Sequence, residues 1–245
     1  LALYVHIPFC EERCTFCGCN VVVTRKRETA DAYLDRLERE IDLVAIALGR
    51  RRLVTQLHWG GGTPNYLDEP RLRRLMAMLR ARFALDPAAE IALEIDPVVA
   101  SPQQVRLLRE LGFNRISLGV QDLDWTELQA VNRRQPEALT RRIYAACREA
   151  GFAGVNLDLI YGLPHQRPDN FGETVRKIID LQPDRVALFS YAHVPWLKKH
   201  QQALDAATLP DAATTFRIFH GARALFLAAG YVYIGMDHFA RPGDE

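Results

Sequence analysis

Six short apolar segments, each separated from the next by a helical pattern, constrain this chain more than any other feature. The strand-like segments are Leu3–Pro8, Thr55–Trp59, Glu90–Asp96, Arg115–Gln121, Val155–Tyr161 and Arg185–Tyr191. The spacing between them predicts helices over Ala30–Leu48, Glu69–Phe83, Pro102–Leu111, Ala138–Ala150 and Asn170–Leu181. In the first of these Leu34, Leu37, Ile41 and Val44 recur every three or four residues and form one apolar stripe. Strand-helix alternation implies parallel strands joined by crossovers. Repeated six times, it predicts an α/β fold, a partial TIM-like (β/α)6 barrel with helices outside. With 245 residues the chain can hold one large domain or two small ones, and no low-complexity linker divides it.

The strands carry a second pattern. Side chains alternate between the two faces of a strand. Ile91, Leu93 and Ile95 oppose Glu90, Ala92, Glu94 and Asp96; Ile116, Leu118 and Val120 oppose Arg115, Ser117, Gly119 and Gln121. Val155, Leu157 and Leu159 oppose Asn156 and Asp158, and in the first strand Leu3, Val5 and Ile7 oppose Tyr4, His6 and Pro8. The apolar face belongs under the helices. The polar face, repeated strand after strand, is either the solvent side of an open sheet or the lining of a lumen that holds ligands. Parallel sheets are covered on both faces, which favours the lumen.

The charge balance, 31 basic against 30 acidic residues, gives no basic field for nucleic acid or an anionic membrane. No apolar run is long enough to span a bilayer and no signal-peptide pattern opens the chain. The chain starts at Leu1 inside an apolar strand and stops at Pro242-Gly243-Asp244-Glu245 without a closing element, so an excised piece of a longer protein is expected.

Four of the five cysteines lie in Cys10-Glu-Glu-Arg-Cys14-Thr-Phe-Cys17-Gly-Cys19, directly after the first strand, at the end where barrel sites lie. Cys147, in Ala145-Ala146-Cys147, has the surroundings of a core residue. A tight cluster argues for a metal site in a reducing, cytoplasmic compartment rather than a disulfide framework. Thiolates suit zinc or iron–sulfur centres. Zinc ribbons usually draw a second ligand pair from further along, which this chain lacks, although four sulfurs of one loop could close a zinc site.

The spacing of Cys10, Cys14 and Cys17, with Phe16 just before the third, resembles the radical S-adenosylmethionine (SAM) signature. Tyr4-Val-His6-Ile-Pro8-Phe9-Cys10, Trp59-Gly60-Gly61-Gly62-Thr63-Pro64, Gly119-Val120-Gln121-Asp122, Asn156-Leu-Asp158-Leu-Ile-Tyr161-Gly162-Leu163-Pro164 and Gly235-Met236-Asp237-His238-Phe239-Ala240-Arg241-Pro242 extend the likeness along nearly the whole chain. Together they resemble the oxygen-independent coproporphyrinogen III oxidases. The resemblance implies one 4Fe-4S cluster on Cys10, Cys14 and Cys17, with the fourth iron open for the methionine end of SAM. It implies two SAM molecules: Tyr4, Gly61 and Glu94 at the first; Phe16, Gly62, Thr63, Gln121, Arg133, Asp158 and Ala192 at the second. The resemblance also implies oxidative decarboxylation of two propionates of coproporphyrinogen III to vinyl groups, giving protoporphyrinogen IX in anaerobic haem biosynthesis. An external electron donor and acceptor and a monomeric state go with it, as do an N-terminal segment and a C-terminal domain outside residues 1–245.

Each residue keeps a plainer alternative. Gly60–Gly62 could be only a turn, Glu94 and Asp96 could pair with Arg115, Arg133 and Arg134 could be a solvated helix end, and Phe16 could be a core aromatic. His58, His165 and His220 read as structural or exposed, and His238 has no role that follows from sequence. Cys19 divides the two lines of reasoning. Spacing allows it to join Cys17 on a closed four-thiolate site; the resemblance makes it a catalytic group, with His6, near the second SAM. Cys19 also favours the enzyme over a haem-transfer chaperone on the same scaffold, whose members usually have no cysteine there.

Overall fold

The computed structural model describes residues 1–244. Strand β1 (Ala2–Ile7) leads into the short pair β2 (Phe9–Cys10) and β3 (Val22–Val23), then helix α1 (Glu28–Leu48) and β4 (Leu53–Gly61). The alternation continues with α2 (Glu69–Arg82), β5 (Ala84–Ile95), α3 (Pro102–Glu110), β6 (Arg115–Gln121), α4 (Trp125–Ala130), α5 (Glu137–Glu149), β7 (Gly154–Tyr161), α6 (Pro168–Leu181) and β8 (Arg185–Ser190). Helix α7 (Ala212–Ala228) and the strands β9 (Val232–Gly235) and β10 (His238–Ala240) complete it.

All six expected strands form and lie in one sheet of order β1-β4-β5-β6-β7-β8-β10-β9. The first six are parallel neighbours. The β9–β10 pair adds an antiparallel edge against β8. The alternation of faces is also as expected. Ile91, Leu93, Ile95, Ile116, Leu118, Val120, Val155, Leu157 and Leu159 are all buried, with Trp59 set edge-on against Phe113 at 4.9 Å. Cys147 is fully buried on α5, and that burial pushes its thiol up to about 12.

Helix starts follow local chemistry. The Asp68 side chain accepts from Arg71 N ahead of α2, and Ser101 accepts from Gln104 N ahead of α3, each with a proline in the first turn. Arg71 also bridges to Asp31 at 2.7 Å and so ties α2 to α1. Two helices and a hairpin lie outside the sequence reading. Helix α4 has only 6 residues, and α7 buries a narrow stripe of Ile218, Ala222 and Phe226 while Phe216 and Leu227 stay exposed, which blurs its period. Among the described residues no helix is long and apolar enough to cross a membrane.

Candidate active site

The polar strand faces enclose a cavity of about 700 Å³ that draws on β4 through β8 and on His238 of β10. Only a sheet wrapped around the cavity can present both His58 and Ser190 to it. The polar face is therefore a lining.

The cysteine loop closes one end. It is pinned from two directions: Thr15 N donates to Val131 O at 3.1 Å and Asn132 Nδ2 to Arg13 O at 2.9 Å. On the other side His200 Nε2 meets Cys17 O at 2.7 Å, and Gln201 Nε2 donates to Phe16 O and to Ala192 O, both at 3.1 Å. The thiols of Cys10, Cys14 and Cys17 line the same cavity in different surroundings. Cys10 Sγ is 3.3 Å from Thr63 Oγ1, and burial pushes its thiol up to about 11. Cys14 Sγ is raised mainly by burial, opposed by the Arg133 guanidinium, whose Nη1 lies 3.5 Å away. Cys17 is lowered to about 6, first because the Cys19 thiol donates to it, while Cys19 itself is raised by the same contact and by burial. Among the described residues no three His, Cys, Asp or Glu side chains converge closely enough to hold a single metal ion. Three thiols spread around one cavity fit a polynuclear iron–sulfur cluster, which offers each its own iron, better than a mononuclear zinc.

The glycine-rich turn after β4 brings backbone close to this loop. A Cβ on Gly62 would sit 2.8 Å from Phe9 O, and Gly62 N donates to Ile7 O at 2.8 Å. Gly61 has φ +119° and passes under the His6 ring, 2.8 Å from where a Cβ would lie. Its N–H donates to Glu94 Oε2 at 3.3 Å, and His58 Nε2 meets Glu94 Oε1 at 3.1 Å. Tyr4 stacks on His58 at 5.9 Å but is 58% exposed at the rim and does not line the main cavity. Thr63 is buried beside Cys10.

Gln121 takes φ +69° at a β-bulge that shifts the register between Gly119 and Gln121, which turns it into the cavity. Asp158 accepts from Ser117 Oγ at 2.8 Å and Asn156 Nδ2 at 2.6 Å, and burial pushes it up to about 6. Phe16 is half-buried; it lines the cavity and also packs against Val131, Leu163 and Leu204, so the core-aromatic alternative is part of the answer. Ala192 is exposed on the cavity wall.

Two of the plainer alternatives fail. Arg133 is not at a solvated helix end: it is 7% exposed, with Nη2 donating to Gly119 O at 2.6 Å and Asp96 Oδ1 at 2.9 Å, and Nε to Gln135 Oε1 at 2.8 Å. Arg115 pairs with neither Glu94 nor Asp96 but with Glu90 at 3.3 Å and Asp244 at 2.7 Å.

His6 meets Tyr4 Oη at 3.2 Å and Asn20 O at 3.1 Å. It lines a second cavity of about 510 Å³ rather than the main one, while Cys19 lines both. His58 and His238 also line the main cavity, although the sequence left the first as structural and gave the second no role. The period of β4 places His58 between the buried Leu57 and Trp59, so that pattern, carried one strand further, would have found it. His200 and Gln201 gave no local signal, since their importance lies in contacts more than 180 residues away.

The sequence model of the Radical SAM superfamily matches residues 4–178, which span the cysteine loop and the strands β1 to β7. The chain belongs to the radical SAM superfamily. Among curated relatives, the oxygen-independent coproporphyrinogen III oxidase of Pseudomonas aeruginosa is 49% identical and that of Synechocystis sp. 47%; each alignment covers 100% of this chain, but only 54% and 53% of the relative. The chain thus spans about half the length of the curated relatives it matches. The solved radical SAM structure of coproporphyrinogen III oxidase (HemN) from Escherichia coli superposes with a TM-score of 0.96 at 46% identity, covering 100% of this chain and 56% of that one. A superfamily fold with helices outside a mostly parallel sheet accounts for both the pattern of strands and the place of the cysteines.

Proposed function

We propose that the chain is the radical SAM core of a longer oxygen-independent coproporphyrinogen III oxidase, acting in the cytoplasm as a monomer. The observation that carries this reading is the cysteine loop: the thiols of Cys10, Cys14 and Cys17 face one cavity at the C-terminal ends of the parallel strands, with Cys19 on its wall. The superposition of the whole chain on 56% of the E. coli oxidase supports it. When bound, a four-iron cluster carrying SAM on its open iron would supply the hydrogen-abstracting chemistry.

This chain's residues would bind and orient. Cys10, Cys14 and Cys17 would hold the cluster, and Arg133 would place a buried positive charge beside Cys14. Glu94, fixed by His58 and Gly61 N, would accept from the ribose hydroxyls of one SAM, with Tyr4 at the rim. Phe16, Gly62, Thr63, Gln121, Asp158 and Ala192 would form the wall of a second SAM site, reached from β4 across to the segment after β8. Arg133 would serve that site through the groups it holds, because Nε and Nη2 already have protein acceptors. Cys19 and His6 would support turnover next to it. Each propionate would lose one hydrogen atom from the carbon attached to the ring, beta to the carboxylate, together with carbon dioxide and one electron, the electron passing to an external acceptor.

The test is anaerobic. Protein reconstituted with iron and sulfide is incubated with SAM, a reductant, an electron acceptor and coproporphyrinogen III, and products are read by mass. The reading expects divinyl product. Tight haem binding with no vinyl formation would replace it with haem transfer.

A further inference from the structure

The second cavity adjoins the main one and has a different character. Arg13 and Cys19 of the cysteine loop face Lys198, Lys199 and His200 of the segment after β8 across about 510 Å³, and among the described residues no Asp or Glu lines the space. Three formal positive charges therefore meet there without a lining counter-charge. Among the described residues Arg13 has no carboxylate partner: Nη2 donates to Val21 O at 3.2 Å, Nη1 lies 3.5 Å from His200 Nδ1, and the buried Nε has no acceptor. Glu12, the acidic neighbour of Arg13 on the side of the main cavity, is already paired with Arg25 at 2.5 Å. Clustered cations without partners repel one another, and an anion placed among them relieves the repulsion.

The rim is apolar as well as basic. Val22 is 47% exposed on one side and Leu197 71% on the other, next to Trp196 at 78%. Exposed apolar groups of this size around a charged pocket suit a ligand with an apolar body and acidic arms. Arg13, Cys19, Val21 and Lys198 belong to the walls of both cavities, so a ligand seated in the second one faces the first across Cys19.

We propose that the second cavity anchors the carboxylate arms of an aromatic or tetrapyrrole polycarboxylate. Lys198, Lys199 and Arg13 take the arms, the body lies against Val22, Leu197 and Trp196, and the arm that reacts is left to reach past Cys19 into the main cavity. The identification of that ligand with coproporphyrinogen rests on the function proposed above, whereas the anion site does not.

The test measures binding to the reconstituted protein by fluorescence with two probes, coproporphyrin III and pyrenetetracarboxylate, the second sharing only the flat body and the acidic arms. The double substitution Lys198→Gln/Lys199→Gln is compared with Arg39→Gln on α1, and SAM binding serves as the check that the fold is intact. The expected result is an affinity for both probes about tenfold lower in the double variant, a weaker dependence on salt than in the unaltered protein, no change in Arg39→Gln, and no sensitivity to the substitutions for the tetramethyl ester of coproporphyrin. Equal affinity of the double variant and the unaltered protein for both probes would overturn the anion site and leave the substrate reading standing. Lysine-dependent binding of pyrenetetracarboxylate without binding of coproporphyrin III would keep the anion site and remove the tetrapyrrole. Failure of the unaltered protein to bind either probe would overturn the site.

Discussion

The lumen and the sealed layer around α4 to α6 contain the same kinds of residue in different circumstances. Each holds cysteine: Cys14 faces the main cavity, whereas Cys147 is enclosed on α5. Each holds carboxyls. Asp158 and Glu94 open on the cavity, while Asp122 and Glu127 are 1% and 2% exposed behind it. Burial pushes Asp122 up, just as it pushes Asp158 up to about 6. A perturbed carboxyl or thiol thus marks a site only where there is room for a ligand to reach it. In the sealed layer Asp122 instead acts as a clasp. It accepts from Leu123 N at 2.6 Å, Asp124 N at 3.1 Å, Gln166 Nε2 at 2.6 Å and the Thr174 hydroxyl, joining the end of β6 to the turn after β7 and to α6.

The sharpest break in the comparison is between the thiols. Cys14→Ala is expected to abolish the cluster and Cys147→Ala to leave the iron content unchanged, counted per chain after anaerobic reconstitution. A full cluster in Cys14→Ala would remove the distinction. The clasp comes next. Asp122→Ala strands several buried donors, each costing about 1–3 kcal/mol, so a total loss of ~3 kcal/mol or more is expected in a denaturant titration. Asp158→Ala, whose partners Ser117 and Asn156 can turn to water in the cavity, should cost only about 1 kcal/mol. Equal losses would mean that cavity access does not matter.

Glu94→Ala tests the lumen by affinity. The cluster should assemble normally while SAM binding weakens by about 1.5–3 kcal/mol, the range for a hydrogen bond to a charged group, as read by titrating the spectral change. Unchanged affinity would remove the ribose role.

Glu127 sharpens the comparison through pH. Burial, aided by the neighbouring Asp124 carboxyl, raises it from its ordinary 4.5 to about 8. A raised carboxyl contributes stability that is fully present below about 4.5 and is lost as the pH climbs through about 8. Glu127→Gln should therefore flatten the decline in melting temperature between those pH values and melt higher than the unaltered protein above pH 8. Each kcal/mol corresponds to about 2–4 °C. SAM binding should not change, and parallel melting curves for the two proteins would contradict the assignment.

Much of the lumen was legible in sequence because strand alternation is a local rule. Glu94, Gln121 and Asp158 each fall on the polar face by counting, and the cysteine loop announces itself by spacing. The sealed layer was not. Asp122 gains its meaning from Gln166 and Thr174, 44 and 52 residues away. The buried state of Arg133 depends in the same way on Asp96 and Gly119, and local sequence offers only a pair of arginines beside a helix. His200 and Gln201 hold the cysteine loop from the far end of the chain, a contact no motif records. The fold expectations missed α4 and α7 because one is short and the other nearly patternless.

The central claim is that three thiolates hold the cluster and Cys19 does not. The Mössbauer spectrum of Cys19→Ala, reconstituted anaerobically and recorded with and without SAM, tests it most directly. The account predicts a full four-iron cluster with one iron site that shifts when SAM is added, as in the unaltered protein. A three-iron cluster in Cys19→Ala, with no response to SAM, would make Cys19 the fourth ligand of a closed site and contradict the radical SAM chemistry proposed for this cavity.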